Sequence, residues 1–235
     1  QDLKKINTKD FSEIERYILG KIYDLDRSIK SNLKNYNFHK TYKELLNFCT
    51  LDLSSFYFDI RKDVLYCDDI DSKKRKDCII VLNIILECLL KWFAPIFVFT
   101  TEEIFSLVQK SETSIHESLF PLIPQSWEDV SLKRKWENLY QIKQKVNIAI
   151  EEKRTSKEIG SSLEADIIIH ANEKEFSLLE DLDLEEYFIT SKAKKIKETN
   201  EKLRVVVKKV SGTKCSRCWK ILETKCSRCE EAMSK

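Results

Sequence analysis

Glycine and proline are scarce in this sequence, with three of each among 235 residues. Such a composition argues against a loop-rich enzyme built around glycine turns. The sequence also contains no glycine-rich phosphate loop, no G-x-S-x-G elbow and no His-x-x-x-His zinc pattern. Its three histidines, His39, His116 and His170, are far apart and have no metal-ligand or triad spacing around them. These absences predict a chain without an active site of its own.

No apolar segment with flanking arginines and a cleavage site opens the chain, so we expect a reducing, cytoplasmic compartment. The first residue is Gln1 rather than Met, from which we expect that further sequence precedes it. Residues 78–93 are strongly apolar, but this run is shorter than the roughly 20 residues that a bilayer span needs. Asn83, Glu87 and Lys91 also recur along it at every fourth position. We therefore expect a mostly buried helix rather than a membrane span.

Hydrophobic residues make up 42% of the chain and charged residues 34%, which is typical of a folded, helix-rich protein. The net charge of +2 is unevenly distributed. Residues 191–235 carry 14 Lys+Arg against 5 Asp+Glu, whereas residues 1–190 carry 27 against 34. A basic end of this kind indicates either a polyanionic partner or a solvated tail.

Apolar residues three or four positions apart predict helices. The predicted segments are residues 12–25, 38–65, 78–93 and 127–157. Ser12 with Glu15, and Thr100 with Glu103, have the spacing of a capping box and predict two helix starts. Pro95 is expected to end or kink the third helix, and Gly160 is expected to end the fourth. The long helix 127–157 has an apolar side and a lysine-bearing side.

Beyond Gly160 the pattern changes to short β-branched runs at residues 165–170 and 203–207, which predict strands. They flank a helical or mixed stretch at residues 173–197. We interpret its lysine run 192–197 as a solvated face that could also contact phosphate. Residues 111–126 contain two prolines and predict a linker or a long irregular loop. The predicted fold is mainly α, with a helical bundle, a small α+β junction unit and a zinc knuckle. The corresponding domains are residues 1–125, 126–210 and 211–235.

Two Cys-x-x-Cys pairs, Cys215 with Cys218 and Cys226 with Cys229, lie seven residues apart. Each pair can place two thiolates about 2.3 Å from one ion, and two such knuckles complete a tetrahedron. This spacing predicts one structural Zn²⁺, because four protein ligands leave no position for water or substrate. A redox dithiol pair and an iron–sulfur centre are the alternatives. The remaining cysteines are interpreted as small buried core residues: Cys49, Cys67, Cys78 and Cys88.

Basic residues surround the four predicted ligands and would offset the charge of a tetrathiolate site: Lys214, Arg217, Lys220, Lys225 and Arg228. Trp219 directly follows the second ligand. Its ring could stack on a nucleobase or cover the small core of the knuckle.

Several strings in this sequence resemble the C-terminal half of bacterial-type isoleucyl-tRNA synthetases. FCTLDLSSFY at 48–57, KDVLY at 62–66, LKWFAP at 90–95 and FTTEEI at 99–104 are similar to the class Ia anticodon-binding bundle. These strings are also similar to those of valyl- and leucyl-type enzymes. KEIGSSLEA at 157–165 and KCSRCW at 214–219 resemble the segment after the bundle and the terminal zinc finger of the isoleucine enzymes. The loop between the cysteine pairs is usually longer in that family.

The resemblance implies a part that binds isoleucine tRNA at its anticodon stem-loop, within an enzyme that charges isoleucine onto tRNA with ATP. The family's catalytic core, which uses the ATP and carries the HIGH and KMSKS signatures, is absent here, as is its editing insertion. We therefore expect an inactive chain that works with a catalytic domain in cis, as a monomer without a membrane partner. The predicted RNA contacts are Lys73, Lys74, Arg75, Lys208, Lys209, Lys214, Arg217, Trp219, Lys220 and Arg228.

Two other functions are compatible with some of these features. A free-standing, zinc-stabilised RNA-binding module would show the same knuckle and basic end. A fragment of a DNA-repair glycosylase would also end in a similar zinc finger. The helical bundle, and the lack of a catalytic N-terminal proline or glutamate, argue against the glycosylase.

Overall fold

The computed structural model describes residues 3–109, 113–199 and 202–234. Contacts divide the chain into two compact units, Gln1–Asp59 with Asp71–Val130 and Ile60–Ile70 with Ser131–Lys235. The three domains proposed from the sequence remain a prediction. Among the described residues, no helix combines the length and the apolar character needed to cross a membrane.

The helices are α1 Glu13–Lys34, α2 Phe38–Asn47, α3 Asp59–Cys67, α4 Lys73–Phe93, α5 Val98–Gln109, α6 Val130–Thr155, α7 Glu173–Leu178, α8 Leu184–Phe188 and α9 Ser227–Met233. A π-helical segment, Phe48–Phe58, lies between α2 and α3. The strands are β1 Ala165–Ala171, β2 Lys192–Lys197, β3 Arg204–Lys209, β4 Thr213–Lys214 and β5 Ile221–Leu222. The prediction of a mainly α protein with a small α+β part is confirmed.

The first unit is a helical bundle whose α1 buries an isoleucine stripe at positions 14, 18, 22 and 29. Ser12 is the N-cap residue, as predicted, but it lacks the side-chain cap hydrogen bond of a capping box, and its hydroxyl donates to the Glu15 carboxylate instead. Two pairs of polar groups are hydrogen-bonded across elements of the core. The Tyr57 hydroxyl donates to Glu15 over 3.3 Å, and the Trp92 indole N–H donates to Asp26 over 3.3 Å.

The predicted capping box at Thr100 is wrong, because α5 already begins at Val98. The chain turns immediately after Pro95, where the Phe93 carbonyl accepts from the amides of Ile96 and Phe97 at 2.8 Å. The Phe97 carbonyl then accepts from the amide of Thr101 at 2.9 Å. Helical hydrogen bonding is therefore established before Thr100. The predicted end of α4 at Pro95 is confirmed, since the helix stops at Phe93.

Three of the four isolated cysteines, Cys67, Cys78 and Cys88, are buried as predicted. Cys49, which lies in the π-helical segment, is only partly buried. The segment also departs from the regular α-helix expected from its sequence.

The second unit contains α6, which buries Trp136, Leu139, Ile142, Val146 and Ile150 as predicted. One lysine does not follow the expected division into an apolar and a basic side. Lys143 is buried and donates to the Tyr187 carbonyl, with its ammonium 4.8 Å from the centre of the Tyr187 ring. This contact joins α6 to α8.

The end of α6 differs from the prediction, because the helix ends at Thr155 and the left-handed residue that follows it is Lys157 rather than Gly160. Lys157 has a φ of 60°, its amide donates to the Arg154 carbonyl, and the amide of Glu158 donates to the Lys153 carbonyl, both at 3.0 Å. This pair of bonds is a Schellman motif, whose left-handed position usually holds glycine.

Replacing Lys157 with glycine is expected to raise the free energy of unfolding by about 0.5–1 kcal/mol. The left-handed conformation costs an L-residue about 1–2 kcal/mol, and the greater freedom of glycine in the unfolded chain offsets part of the gain. Chemical denaturation followed by tryptophan fluorescence measures the change. Lys157→Ala is the control and is expected to give no gain, so equal stabilisation by alanine would contradict a backbone origin.

The main sheet of the second unit has three strands in the order β2-β1-β3, with β1 parallel to β2 and antiparallel to β3. Alternate β1 residues from Ala165 to Ala171 are buried. The strand β2 was not predicted, because its sequence KAKKIK lacks the usual apolar alternation. Pairing with the buried strand β1 holds it in the sheet.

Candidate metal centre and nucleic-acid interface

The four cysteines of the two Cys-x-x-Cys pairs come together at one point of the second unit. Their sulfur atoms all lie within 4.8 Å of one another, and those of Cys218 and Cys226 are 3.8 Å apart. A tetrahedron of sulfur atoms about 2.3 Å from a central ion has edges of about 3.8 Å. The donor set and its spacing therefore fit one tetrahedrally bound metal ion.

A small hairpin and a short helix position these sulfur atoms. The hairpin pairs β4 with β5 on either side of the first cysteine pair. Within it, the Cys215 amide donates to the Lys220 carbonyl at 2.9 Å, and the Trp219 amide donates to the Cys215 carbonyl at 3.0 Å. Cys226 occupies the N-cap position of α9, which carries Cys229 in its first turn. Gly212 begins the hairpin with a φ of 139°, where a Cβ would collide with the Leu222 carbonyl.

Local electrostatics favour a thiolate at Cys215. The backbone amide of Cys218, and then that of Arg217, hydrogen-bond to the Cys215 sulfur and lower its pKa to about 7. Burial raises the pKa values of the Cys218 and Cys229 thiols. A bound cation would hold all four groups as thiolates and would compensate for their burial.

The segment that carries the four cysteines, residues 213–233, is anchored to α3 and to Asp68, which directly follows α3 in the same unit. The Arg228 guanidinium donates to both oxygens of Asp63, at 2.6 and 3.0 Å, and to Asp68 at 3.3 Å. Arg217 donates to the Tyr66 carbonyl at 3.1 Å. Cys67 packs against Cys218 and Cys229, and its burial together with the charge of Asp63 raises its pKa to about 11.

Two of the predicted RNA contacts, Arg228 and Arg217, take part in this anchoring. The guanidinium of Arg228 is held by carboxylates of the chain itself, which raise its pKa further. Arg217 is likewise turned toward the backbone of α3. Sequence reasoning missed Asp63 and Asp68, because they lie 165 and 160 residues before their partner and no local pattern links them.

Most of the Trp219 side chain lies outside the core of the knuckle, since 60% of its surface is exposed. Its φ is 64°, a left-handed conformation that is uncommon for a bulky residue. The ammonium of Lys214 lies 5.4 Å from the centre of its ring. An exposed indole beside a cation is a geometry suited to stacking on a nucleobase.

The other basic candidates of the second unit are partly engaged. Lys220 is 3.3 Å from Glu185, and Lys209 is 3.7 Å from Glu164. Lys208 is exposed on β3. These residues and the knuckle belong to the same unit, so the structure places them in one body.

The remaining candidates, Lys73, Lys74 and Arg75, form the first turn of α4 in the first unit. Lys73 pairs with Asp77 and donates to the Asp10 carbonyl at 2.8 Å. This turn has no acidic residue, although the helix dipole favours negative charge there. A basic first turn therefore does not stabilise the helix.

Comparison with known proteins gives consistent results for both units. A family model described as the anticodon-binding domain of tRNA ligase matches residues 15–169. The chain is 51% identical over 220 residues to the isoleucine–tRNA ligase of Pelagibacter ubique, 35% identical over 229 residues to that of Agrobacterium fabrum, and 38% identical over 208 residues to that of Methylacidiphilum infernorum. These matches cover 94%, 93% and 88% of this chain, but 24%, 24% and 22% of the relatives. The chain thus spans about a quarter of the length of the curated relatives it matches.

Proposed function

Because the chain belongs to the family of anticodon-binding domains of tRNA ligases, we propose that it is the tRNA-binding part of an isoleucine–tRNA ligase. The observation that carries this proposal is the 51% identity to an isoleucine–tRNA ligase along 94% of the chain. In the whole protein, the reaction would be the ATP-dependent charging of isoleucine onto its tRNA. The catalytic and editing parts would lie outside these residues and act on the same tRNA in cis, and the chain alone would be inactive.

Recognition would be divided between two kinds of contact. Bases of a single-stranded anticodon loop can be splayed out and read by stacking and by hydrogen bonds to their edges, whereas an A-form stem is held through its phosphates. We assign the loop to the helical bundle of residues 1–125, with Lys73, Lys74 and Arg75 as contacts. We assign phosphate contacts to Lys208, Lys209, Lys214 and Lys220, within the junction unit 126–210 and the knuckle 211–235.

We further propose that Cys215, Cys218, Cys226 and Cys229 hold one structural Zn²⁺. Four protein ligands leave no open coordination position, so the metal would stabilise the knuckle and take no part in a reaction. The knuckle would hold Trp219 rigidly for stacking on a base, an interaction of about 1–3 kcal/mol. We expect the protein to act as a monomer in the cytoplasm.

A tRNA titration tests the proposed function. The metal-loaded protein is expected to bind isoleucine tRNA at least tenfold more tightly than the same tRNA with a swapped anticodon, at one fixed salt concentration. Lost stacking and edge contacts of about 1–3 kcal/mol per base account for a loss of this size. Fluorescence anisotropy with labelled tRNA measures both affinities. Equal affinities would contradict anticodon reading and favour a general, zinc-stabilised RNA-binding module.

A further inference from the structure

The strands β2 and β3 are unusually basic. Four of the six residues in β2 and three of the six in β3 are lysine or arginine, and neither strand contains an acidic residue. The whole chain is nearly balanced, with 41 Lys+Arg and 39 Asp+Glu. We propose that one face of this sheet binds the phosphate backbone of tRNA, an inference that rests on the function proposed above.

The strand register defines that face, which we call the outer face. Directly paired residues lie on the same side of a sheet. Its three rows are Lys192, Asp166 and Lys208; Lys194, Ile168 and Val206; and Ile196, His170 and Arg204. The alternate β1 residues point to the opposite side and are buried: Ala165, Ile167, Ile169 and Ala171.

Lysines on the two faces of β2 have different environments. On the buried side, Lys195 donates to the Leu179 carbonyl at 2.7 Å and lies 4.9 Å from the centre of the Phe176 ring. Lys197 pairs with Glu173, also on that side. These lysines are explained by packing of the sheet against α7 and the turn that follows it.

The outer face carries cations that such packing does not explain. Lys194 and Lys208 are exposed, and neither makes an ion pair or a side-chain hydrogen bond with another residue in the described ranges 3–109, 113–199 and 202–234. Lys192 is paired with Glu223, and Arg204 lies 3.3 Å from Glu198 at the rim. Two cations on opposite edges of the face are thus available to an external anion.

Apolar surface lies between these cations. Ile168 and Val206 are half-buried in the central row, and 44% of the surface of Ile196 is exposed. Lysines on edge strands also prevent unwanted strand pairing, but they can do so from either face. Here the two lysines of β2 and β3 that make no ion pair or side-chain hydrogen bond among the described residues both lie on the outer face. Cations repeated in rows about 6.6 Å apart suit a chain of regularly spaced charges, such as an RNA backbone.

The test is a tRNA titration of the double variant Lys194→Gln with Lys208→Gln. Its affinity for isoleucine tRNA is expected to fall about tenfold at near-physiological salt. The slope of log K against log salt is expected to fall in magnitude by about 1.4–1.8, because two phosphate contacts are lost. The pair Lys194→Arg with Lys208→Arg keeps both charges and is expected to bind within twofold of the wild type.

The matched control is Arg134→Gln with Lys174→Gln, which removes the same charge from exposed positions on α6 and α7. It is expected to leave the affinity within twofold of the wild type and the salt slope unchanged. An equal loss in both double variants, or no loss in the sheet variant, would overturn the proposal while anticodon-dependent binding by the wild type stands. The absence of a loss in the sheet variant would instead favour an acidic protein as the partner of the outer face. Failure of the wild type to bind tRNA would overturn the proposed function and this inference with it.

Discussion

Serine in place of Cys229 is expected to abolish retention of the proposed Zn²⁺. Cys229 is buried in the first turn of α9, where its sulfur completes the group of four. Hydroxyl oxygen is a poor substitute for thiolate at a tetrahedral zinc site. Zinc binding contributes about 10–16 kcal/mol to the folding of isolated zinc-finger peptides, so we expect the knuckle to lose its structure without it. Elemental analysis of purified protein, and amide hydrogen exchange over residues 213–233, measure the two effects.

Two cysteine variants serve as controls for this experiment. Cys67→Ser changes a thiol that packs against Cys218 and Cys229 but does not belong to the group of four sulfur atoms. Cys49→Ser changes a partly buried thiol in the other unit. Both variants are expected to retain one equivalent of metal. Retention of a full equivalent by Cys229→Ser would contradict the proposed ligand set.

The same preparation distinguishes the chemical alternatives for the four thiols. A zinc site is colourless, because Zn²⁺ has a filled d shell and no redox chemistry. An iron–sulfur centre would contain iron and absorb visible light, and a redox dithiol pair would bind no metal and form disulfides on oxidation. We expect one equivalent of zinc and no visible absorption.

The features that the sequence predicted well are those determined by neighbouring residues. The Cys-x-x-Cys spacing predicted that four sulfur atoms converge, because each pair needs only its own backbone turn and a short connecting segment. Apolar periodicity likewise predicted the buried side of α6 and the strand β1, since burial repeats at 3.6 or 2 residues. Both signals are contained within a few turns of the chain.

The features that the sequence did not predict depend on distant residues. The strand β2 takes its conformation from pairing with β1 rather than from its own lysine-rich sequence. Lys143 contacts Tyr187, 44 residues away, and is therefore buried on an otherwise apolar side. The cations near the four cysteines could be counted from the sequence, but their availability to RNA depends on long-range carboxylates such as Glu185 and Asp63.

Replacing Arg228 with glutamine is expected to lower the free energy of unfolding by about 2 kcal/mol. This value lies between the 3–5 kcal/mol for breaking a buried pair and the 0.2–1 kcal/mol of an exposed one, because Arg228 and Asp63 are 36% and 29% exposed. Burial opposes ionisation of Asp63, but hydrogen bonds and charge from Arg228 prevail and lower its pKa. Because the pKa of Asp63 is lowered in the folded protein, its ionised carboxylate stabilises the fold at every pH above its ordinary pKa. This stabilisation is lost as the pH falls through the folded-state pKa. The difference in stability between wild type and variant is therefore fully present at pH 7. Denaturation of the metal-loaded proteins at that pH measures it.

A double-mutant cycle with Asp63→Asn separates the anchoring role of Arg228 from a contact with RNA. If the Arg228 guanidinium stabilises the fold by pairing with Asp63, the effects of the two substitutions on the free energy of unfolding are expected to couple by about 1–2 kcal/mol. Lys225→Gln is the matched control, since Lys225 is a cation of the same knuckle that is 89% exposed, and a change within about 0.5 kcal/mol is expected. A variant at Arg228 that kept full stability but lost tRNA affinity would instead restore the role predicted from the sequence. The bidentate hydrogen bonds to Asp63 and the third hydrogen bond to Asp68 favour the anchoring role. They occupy the guanidinium N–H groups that a phosphate would need.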